Sequence, residues 1–273
     1  MKHSYRHLPL VAGLSLFTAI WILPYLWMLA TSFKSRLEIT ARPPRVFFSP
    51  TLDNFAWTYN GQSIVPLFGN TFIIATGTVV ATLVLGIPAA YFFARHRSTI
   101  TRSLFLFILS TRIAPPIALS LPFFIVLTQV GLRGTYVGVI IIHGVFNLSF
   151  VIWLLEGVFA DIPEEIEMAA QVDGRTRLGA LVRVVLPLAQ PGIGAAALFT
   201  FVFSWNEYMM ASLLSSSTTR PITPALPGFI AQATTQWGFF CVVATLSSVP
   251  VLSLVVLSRR YLAKGIALGV AKR

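Results

Sequence analysis

DIPEEIEMAAQVDGRTRLGALVRVVLP, residues 161–187, is the most polar long stretch of a very apolar chain. Apolar runs long enough to span a membrane flank it on both sides. We call residues 161–187 the acidic segment, because it holds five of the nine acidic residues. A polar segment with its own folding signals between two membrane spans is more typical of a docking surface than of a linker. Its acidic residues are Asp161, Glu164, Glu165, Glu167 and Asp173.

Local signals predict a helix, a sharp turn and a second helix in the acidic segment. Pro163 suits the first position of a helix, where its missing N–H costs nothing, and the helix dipole favours carboxylates in the first turn. Gly174 can adopt the left-handed conformation that ends a helix. Thr176 can cap a second helix over residues 177–185, which Pro187 is expected to stop.

This pattern resembles the EAA loop found in the membrane subunits of bacterial ABC importers. That motif has Glu-Ala-Ala, three residues, Gly, nine residues, Ile, one residue and Leu-Pro. The chain departs from the motif at Met168, which stands where Glu is expected, with Glu167 one position earlier. The matching residues are Ala169, Ala170, Asp173, Gly174, Val184 in place of Ile, Leu186 and Pro187.

The resemblance implies a type I ABC importer permease fold and a docking role for the acidic segment. In such permeases this loop is a coupling helix that sits in a cleft of a cytoplasmic ATPase subunit. Ala169 and Ala170 have small side chains, so another protein could approach the backbone closely there. The residues assigned to ATPase docking are Glu164, Glu165, Glu167, Met168, Ala169, Ala170, Asp173, Gly174, Leu186 and Pro187.

The composition predicts an all-α polytopic membrane protein. Of the 273 residues, 56% are hydrophobic and only 11% are charged, whereas ordinary soluble domains carry about 25% charged residues. The formal net charge of +11 could indicate nucleic acid binding. The positive charges are scattered, however, and an excess of Lys and Arg in cytoplasmic loops explains them better. The expected surroundings are therefore membrane lipid, and no nucleic acid partner is expected.

Several chemistries are excluded by the residue types present. Cys241 is the one cysteine, so no internal disulfide and no cysteine-based metal site can form. The four histidines make no ligand cluster, and the phosphate-binding pattern G-x-x-x-x-G-K-[ST] is absent. We therefore expect no catalytic site, no metal site and no cofactor bound by this chain. The resemblance places ATP and Mg²⁺ in the partner ATPase.

Six apolar runs are long enough to be membrane spans. The third contains Pro115, Pro116 and Pro122, so we expect it to be kinked or broken. The fifth and sixth flank a loop, residues 215–237, that is expected to be external. The predicted spans are residues 8–33, 69–94, 103–129, 137–157, 191–214 and 239–257.

The distribution of positive charge predicts the orientation of these spans. Thirteen of the 20 Lys and Arg residues lie in the two termini, the 95–102 loop and the acidic segment, and six lie in the three loops of the opposite side. This bias places both termini and the acidic segment in the cytoplasm, and the resemblance implies that the membrane is a bacterial inner membrane. The predicted organisation is an N-terminal helix with an external loop (residues 1–68), a five-helix core (residues 69–258) and a basic cytoplasmic tail (residues 259–273).

Three further stretches resemble the smaller permease of maltose-type carbohydrate importers. They are WMLATSFK at residues 27–34, SPTLDNF at residues 49–55 and FSWNEYMMA at residues 203–211. The resemblance implies that the solute is a sugar, an oligosaccharide, a polyol, or glycerol or its phosphate. It also implies a second homologous permease subunit, two cytoplasmic ATPase subunits and an external substrate-binding protein as partners.

Polar residues within the predicted spans are functional candidates, since a charge at the bilayer centre costs about 2.5–3.5 kcal/mol on insertion scales. Asn206 and Glu207 could present acceptors to sugar hydroxyls, and Arg112 could pair with Glu207. The alternative is that these polar residues join spans, or join the chain to its partner permease, by hydrogen bonds. The candidates for the substrate pathway are His143, Asn147, Trp205, Asn206 and Glu207.

Three other functions would leave different signals. An ion-gradient-driven secondary transporter would need buried acidic residues along a path, and only Glu207 clearly qualifies. An intramembrane enzyme would need a paired metal or nucleophile site, which scattered histidines and one cysteine do not supply. A non-transporting scaffold would bind no nucleotide-binding partner. The ABC importer permease is the interpretation that these patterns favour.

Overall fold

A computed structural model of the protein describes residues 8–60, 64–230 and 237–270. Within these ranges the chain is helical and contains no β-strand. A helix satisfies its own backbone hydrogen bonds, which is why long apolar runs adopt it in lipid. The helices are α1 (Leu8–Ser32), α2 (Arg36–Ile39), α3 (Asp53–Asn60), α4 (Val65–Arg95), α5 (Thr99–Ser110), α6 (Pro116–Gln129), α7 (Tyr136–Ala160), α8 (Glu164–Val172), α9 (Arg177–Ala180), α10 (Leu186–Trp205), α11 (Met209–Leu214), α12 (Ile222–Ile230) and α13 (Trp237–Val270).

The chain divides into two compact units. The described residues of 1–65 and 226–250 form the first unit, and those of 66–225 and 251–273 form the second. The acidic segment and all five substrate-pathway candidates belong to the second unit.

In the first unit, the stretch that follows α1 is ordered by polar contacts. The Lys34 side chain is buried; its ammonium donates to the Arg45 carbonyl at 2.7 Å and lies 3.9 Å from the centre of the Trp27 ring. The Asn54 amide donates to the carbonyls of Ser32 and Lys34 at 3.0 and 2.8 Å. These contacts fix the stretch between α1 and α3 against the end of the first span.

In the second unit, α7 and α10 pack closely against each other. A Cβ added at Gly192 of α10 would lie 2.5 Å from Cγ2 of Val158 of α7, so only glycine allows this approach. Small residues at such contacts are typical of membrane helix packing. Buried apolar side chains of α4 and of the turn before α10 complete the core. Its buried members are Ala90, Ala94, Val151, Leu155, Phe159, Leu181, Val185, Ala189 and Ala196.

Five stretches of the described chain are long and apolar enough to cross a membrane, so the protein is a multi-pass membrane protein. They correspond to predicted spans one, two, four, five and six. The third predicted span is divided into two shorter apolar helices: α5 ends at Ser110, and α6 begins at Pro116. The predicted break at Pro115 and Pro116 is confirmed, and a count of six spans remains a prediction.

The expectation that Pro187 stops a helix is wrong. The chain stays helical from α9 through a π-helical turn, Leu181–Val185, into α10, and the stretch Arg177–Trp205 forms one candidate span. The proline stands in the first turn of α10, directly after the π-helical turn. A π-helical turn shifts the hydrogen-bond register, so a residue without an N–H can be accommodated there.

Three other boundaries differ from the predictions. The predicted fifth span is interrupted, since α10 ends at Trp205 and α11 begins at Met209. Helix α12 occupies part of the predicted loop 215–237, of which residues 231–236 lie outside the described residues. Helix α13 continues past the predicted end of the sixth span to Val270.

Candidate functional site

The acidic segment folds as a helix followed by a sharp turn. Helix α8 begins directly after Pro163 with three carboxylates in its first turn and ends at Val172. Gly174 then has a φ of +86°, which is the left-handed conformation that was predicted. The N–H groups of Gly174 and Arg175 donate to carbonyls of α8 at 3.0 and 3.1 Å, which closes the helix end.

The return of the chain to the bundle also follows the sequence. The Thr176 hydroxyl accepts a hydrogen bond from the Gly179 N–H at 3.1 Å, so the predicted cap is confirmed. Helix α9, the π-helical turn and α10 then continue without a break. The acidic segment is therefore an elbow whose second arm is the beginning of a membrane span.

A buried ionic cluster joins the first arm of the elbow to α4. The Glu167 carboxylate is 5% exposed and accepts hydrogen bonds from Arg95 Nε at 2.7 Å and from the Tyr91 hydroxyl at 2.6 Å. It also forms an ion pair with the end of the same guanidinium. That guanidinium donates to the carbonyls of Phe159 and Ile162 at 2.8 and 3.1 Å. We call Tyr91, Arg95 and Glu167 the elbow anchor.

Glu167 thus has a different environment from the other acidic residues of α8. It was grouped with the docking residues, but its carboxylate faces α4 and is enclosed by the elbow anchor. Arg95 and Tyr91 were not singled out from the sequence. The available signal was weak: an arginine at the end of an apolar span can either face water or pair with an acid, and nothing in the local sequence says which.

The other docking candidates divide between an exposed face and the packed interior. Met168 is 54% exposed and Val172, one turn further along the same face, is 88% exposed. Ala170 is buried and Leu186 is half-buried. Their docking role remains a prediction. The remaining candidates are all exposed, and they are Glu164, Glu165, Ala169, Asp173, Gly174 and Pro187.

A second polar cluster joins α7, α10 and α4 at the level of the interrupted fifth span. Buried His143 bonds through Nδ1 with the Ser204 hydroxyl at 2.7 Å, and Ser204 contacts the Thr78 hydroxyl at 3.4 Å. His143 Nε2 lies 3.2 Å from the Glu207 carboxylate but is not aligned for a hydrogen bond. The alternative that polar residues join the spans is thereby confirmed for His143.

Glu207 itself holds the start of α11. Its two carboxylate oxygens accept the N–H groups of Met210 and Ala211 at 2.9 and 2.8 Å. Asn206 is exposed, and its amide donates to the carbonyl of Val202 one turn earlier. Glu207 therefore acts as the capping group of the helix that follows the interruption.

The two remaining pathway candidates are buried. The Asn147 amide donates to the carbonyl of His143 in its own helix at 2.8 Å, and Trp205 stacks on Phe201 with ring centres 5.3 Å apart. Arg112 does not pair with Glu207, which corrects that expectation; its guanidinium lies over aromatic rings of α7 and α10. Contact of any of these residues with a solute remains a prediction.

Replacing Glu207 by alanine is expected to destabilise the second unit. The change removes the acceptor for two helix N–H groups, and loss of such a cap costs about 0.5–2 kcal/mol. The thermal unfolding midpoint of the detergent-purified protein should fall in Glu207→Ala. The matched control is Asn206→Ala, which loses one exposed intrahelical hydrogen bond and should change the midpoint little. Equal midpoints for the two variants would show that Glu207 does not cap α11.

Within the described part of the chain, no three His, Cys, Asp or Glu side chains come together as a metal site would require. The two polar clusters join helices; the Ser204 hydroxyl does adjoin the His143 imidazole, but both residues are buried where the helices pack. What the geometry offers instead is an exposed elbow attached rigidly to the bundle.

Comparisons with known proteins agree with this arrangement. Residues 83–268 match the family described as binding-protein-dependent transport system inner membrane component. The trehalose transport system permease protein SugB of Mycobacterium tuberculosis is 30% identical, with 92% of each chain covered. The sulfoquinovosyl glycerol transport system permease protein SmoH of Agrobacterium fabrum is 28% identical, with 92% of this chain and 89% of the relative covered.

A solved structure shares the fold. A chain of the bacterial ABC transporter involved in the import of the acidic polysaccharide alginate superposes with a TM-score of 0.80 at 23% identity, covering 96% of this chain and 98% of that one. The family match extends over more than half of the chain and includes the elbow, α7 and α10. The chain belongs to the family of inner-membrane components of binding-protein-dependent transport systems, and it is a non-catalytic ABC permease subunit.

Proposed function

We propose that this permease translocates a sugar, a polyol or a related small carbohydrate, including glycerol or a glycerol or sugar phosphate, into the bacterial cell. It works beside a second homologous permease subunit. An external binding protein delivers the solute, and two cytoplasmic ATPase subunits that bind ATP and Mg²⁺ supply the energy. Both termini lie in the cytoplasm, on the side of the acidic segment.

The observation that carries the proposal is the anchored elbow. Helix α8 exposes most of its surface, while the elbow anchor and the continuous path into α10 hold it against the bundle. A loop attached at one point only would absorb a push by bending. A helix attached to α4 at one arm and continuous with α10 at the other transmits the push to the spans.

The mechanism follows from this attachment. When the ATPase subunits close around ATP, they draw the elbow and its counterpart in the second permease together. Helix α7 precedes the first arm of the elbow, and α10 continues its second arm. The two helices move together with the elbow because α10 packs closely against α7 at Gly192. The cavity between the two permeases then opens outward, and hydrolysis returns it to the inward-open state. This chain contributes motion and a pathway, and no covalent step.

The exposed face of α8 indicates the chemistry of its receptor. Met168 and Val172 lie four residues apart and form an apolar ridge, with Glu164 and Glu165 at the beginning of the helix. We therefore expect an apolar groove in the ATPase subunit opposite the ridge, with basic residues near its end. Met168 stands where the motif has Glu, so this face of α8 has one carboxylate fewer and a larger apolar area.

Photo-cross-linking tests the docking assignment. A benzophenone amino acid at Met168 or Val172 should form an adduct with the ATPase subunit in cells that express the complete transporter. The control is the same probe at Trp21, an exposed residue of α1, which should yield no such adduct. An elbow probe that reacts with lipid alone would contradict the proposal.

Uptake measurements separate the energy sources and define the solute. The binding protein of the system should be screened by thermal shift against sugars, polyols and their phosphates. The solute that it binds should then accumulate in vesicles only when ATP is supplied. Uptake that survives ATP depletion and stops with an uncoupler would indicate an ion-gradient-driven transporter.

A further inference from the structure

Arg112 occupies the break in the third predicted span. Helix α5 has 12 residues before the break and α6 has 14 after it. At a rise of 1.5 Å per residue these lengths are about 18 and 21 Å, so a third span built from these two helices would place Arg112 near the middle of a hydrocarbon layer about 30 Å thick. A cationic side chain at that depth requires a water-filled or protein-lined surface.

Aromatic rings, and no carboxylate, surround this cation. The Arg112 guanidinium lies 4.7 Å from the ring centre of Phe150 and 5.2 Å from that of Phe203. Phe150 also contacts Trp153, with ring centres 6.0 Å apart. In the described part of the chain, the close pairs of a basic and an acidic side chain are Arg95 with Glu167 and His143 with Glu207, the second being an ion pair only when the imidazole is protonated. Arg112 takes part in neither, and its charge is balanced by no acid of the described chain.

A cavity of about 360 Å³ opens beside Arg112, and a residue with a buried, unpaired hydroxyl is among those that line it. Ser149, Phe150 and Trp153 of α7 line the cavity together with Leu109 and Ile113. Ser149 is 2% exposed, and its hydroxyl has no hydrogen-bond partner. The indole of Trp153 is half exposed. A buried hydroxyl without a partner is costly in a finished packing arrangement. The hydroxyls of Thr200 and Thr245 share this state, and Ser149 is the one of the three residues that lines the cavity.

These three groups match an acidic sugar. A planar guanidinium binds a carboxylate, phosphate or sulfonate through two parallel hydrogen bonds. An exposed indole offers a flat apolar surface to the C–H face of a sugar ring, and a serine hydroxyl can exchange a hydrogen bond with a sugar hydroxyl. The cavity is within the size range of small-molecule sites.

We propose that Arg112, Ser149 and Trp153 form a subsite on the transport pathway for an anionic carbohydrate. This proposal rests on the proposed function and narrows its substrate class from carbohydrates to those that carry a carboxylate, phosphate or sulfonate. Arg112 binds the anion, Trp153 supports the sugar ring and Ser149 bonds to a hydroxyl. The rival arrangement is a structural ion pair between Arg112 and an acid of the second permease.

The test uses the complete transporter in proteoliposomes with its binding protein. Uptake is measured with matched pairs of solutes: galacturonate and galactose, glycerol 3-phosphate and glycerol, sulfoquinovose and glucose. We expect ATP-dependent uptake of an acidic member. Arg112→Gln should lower it about ten-fold or more, since a charge-assisted bidentate contact is lost. Arg112→Lys should retain part of this uptake, because lysine keeps the positive charge but lacks the two parallel N–H donors of the guanidinium.

Arg133→Gln is the matched control. Arg133 also lies over an aromatic ring, 4.4 Å from the centre of Phe124, but it does not line the cavity. Its loss should leave uptake of the acidic solute unchanged. Ser149→Ala should lower uptake by a few-fold without changing assembly of the complex.

The outcomes distinguish the two levels of the hypothesis. ATP-dependent uptake of neutral members only would overturn the anionic subsite and leave the proposed function intact. Uptake of an acidic solute that is the same in Arg112→Gln as in the unaltered transporter would also overturn the anionic subsite. Loss of the second permease from purified Arg112→Gln complexes would identify the rival ion pair. Absence of ATP-dependent uptake for every carbohydrate would count against the proposed function itself.

Discussion

Uptake is expected to fall at least ten-fold when Gly174 is replaced by valine. Gly174 has a φ of +86°, and a Cβ built at this position would meet no atom within 4 Å. The cost of the substitution therefore comes from the positive φ of the backbone and not from steric contact with neighbouring atoms. The left-handed conformation costs a residue with a side chain roughly 1–2 kcal/mol of free energy. The cost is higher for a β-branched residue such as valine. The turn should rearrange, and α8 should leave its docking position.

Two controls isolate the left-handed turn as the cause. Gly157 of α7 also has open space around its Cβ position, and its φ is not positive. Gly157→Val should therefore retain most of the uptake. Gly174→Asn should be intermediate, because asparagine tolerates the left-handed region better than valine does. ATPase subunits that co-purify equally with Gly174→Val and Gly157→Val would show that the turn is dispensable for docking.

Features that depend on neighbouring residues could be predicted from the sequence. The left-handed turn at Gly174, the cap at Thr176 and the break before Pro116 each depend on the conformational limits of one residue. Such limits act in any fold, so a single sequence reveals them. Pro187 shows where the same reasoning fails: a local rule predicted a helix end, and the π-helical turn allowed the helix to continue.

Contacts between distant residues could not be predicted in the same way. Glu167 and Arg95 are 72 residues apart, and His143 and Ser204 are 61 residues apart. Both pairs depend on which spans adjoin and on how each span is rotated, and one sequence carries no direct record of either. The acidic residues of α8 looked equivalent in sequence, yet only Glu167 faces the bundle. The docking surface was therefore predicted as a segment, and its division into an exposed ridge and an internal anchor required the structure.

Replacing Glu167 by alanine is expected to uncouple ATP hydrolysis from uptake. The change leaves the Arg95 guanidinium buried without its carboxylate, and breaking a buried pair in this way costs about 3–5 kcal/mol. Helix α8 keeps its exposed ridge, so the ATPase subunits should still bind it. The first arm of the elbow loses its fixed attachment to α4, so the push should no longer reach the spans. Uptake in proteoliposomes should fall at least ten-fold while ATP hydrolysis continues.

Matched variants distinguish loss of the anchor from loss of negative charge on α8. Glu164→Ala removes an exposed carboxylate from the docking face of the same helix one turn earlier, so it should lower ATPase binding and uptake together and leave the uptake per ATP hydrolysed unchanged. Tyr91→Phe removes one hydrogen bond from Glu167, which is worth about 0.5–1.5 kcal/mol, and should weaken uptake only moderately. If Glu164→Ala and Glu167→Ala lowered the uptake per ATP hydrolysed equally, the negative charge of α8, and not the elbow anchor, would be the property that couples hydrolysis to uptake.

The double variant Arg95→Met with Glu167→Met separates stability from coupling. Two apolar side chains of similar length leave no buried charge unpaired, and such replacements are often neutral or stabilising. The thermal unfolding midpoint should therefore recover to near that of the unaltered protein. The directional hydrogen bonds to Tyr91, Phe159 and Ile162 stay absent, however. We expect uptake to remain low in this stable variant, because the anchor couples motion through oriented polar contacts, and apolar contact allows α8 to slide. Full recovery of uptake would show that close packing alone transmits the motion.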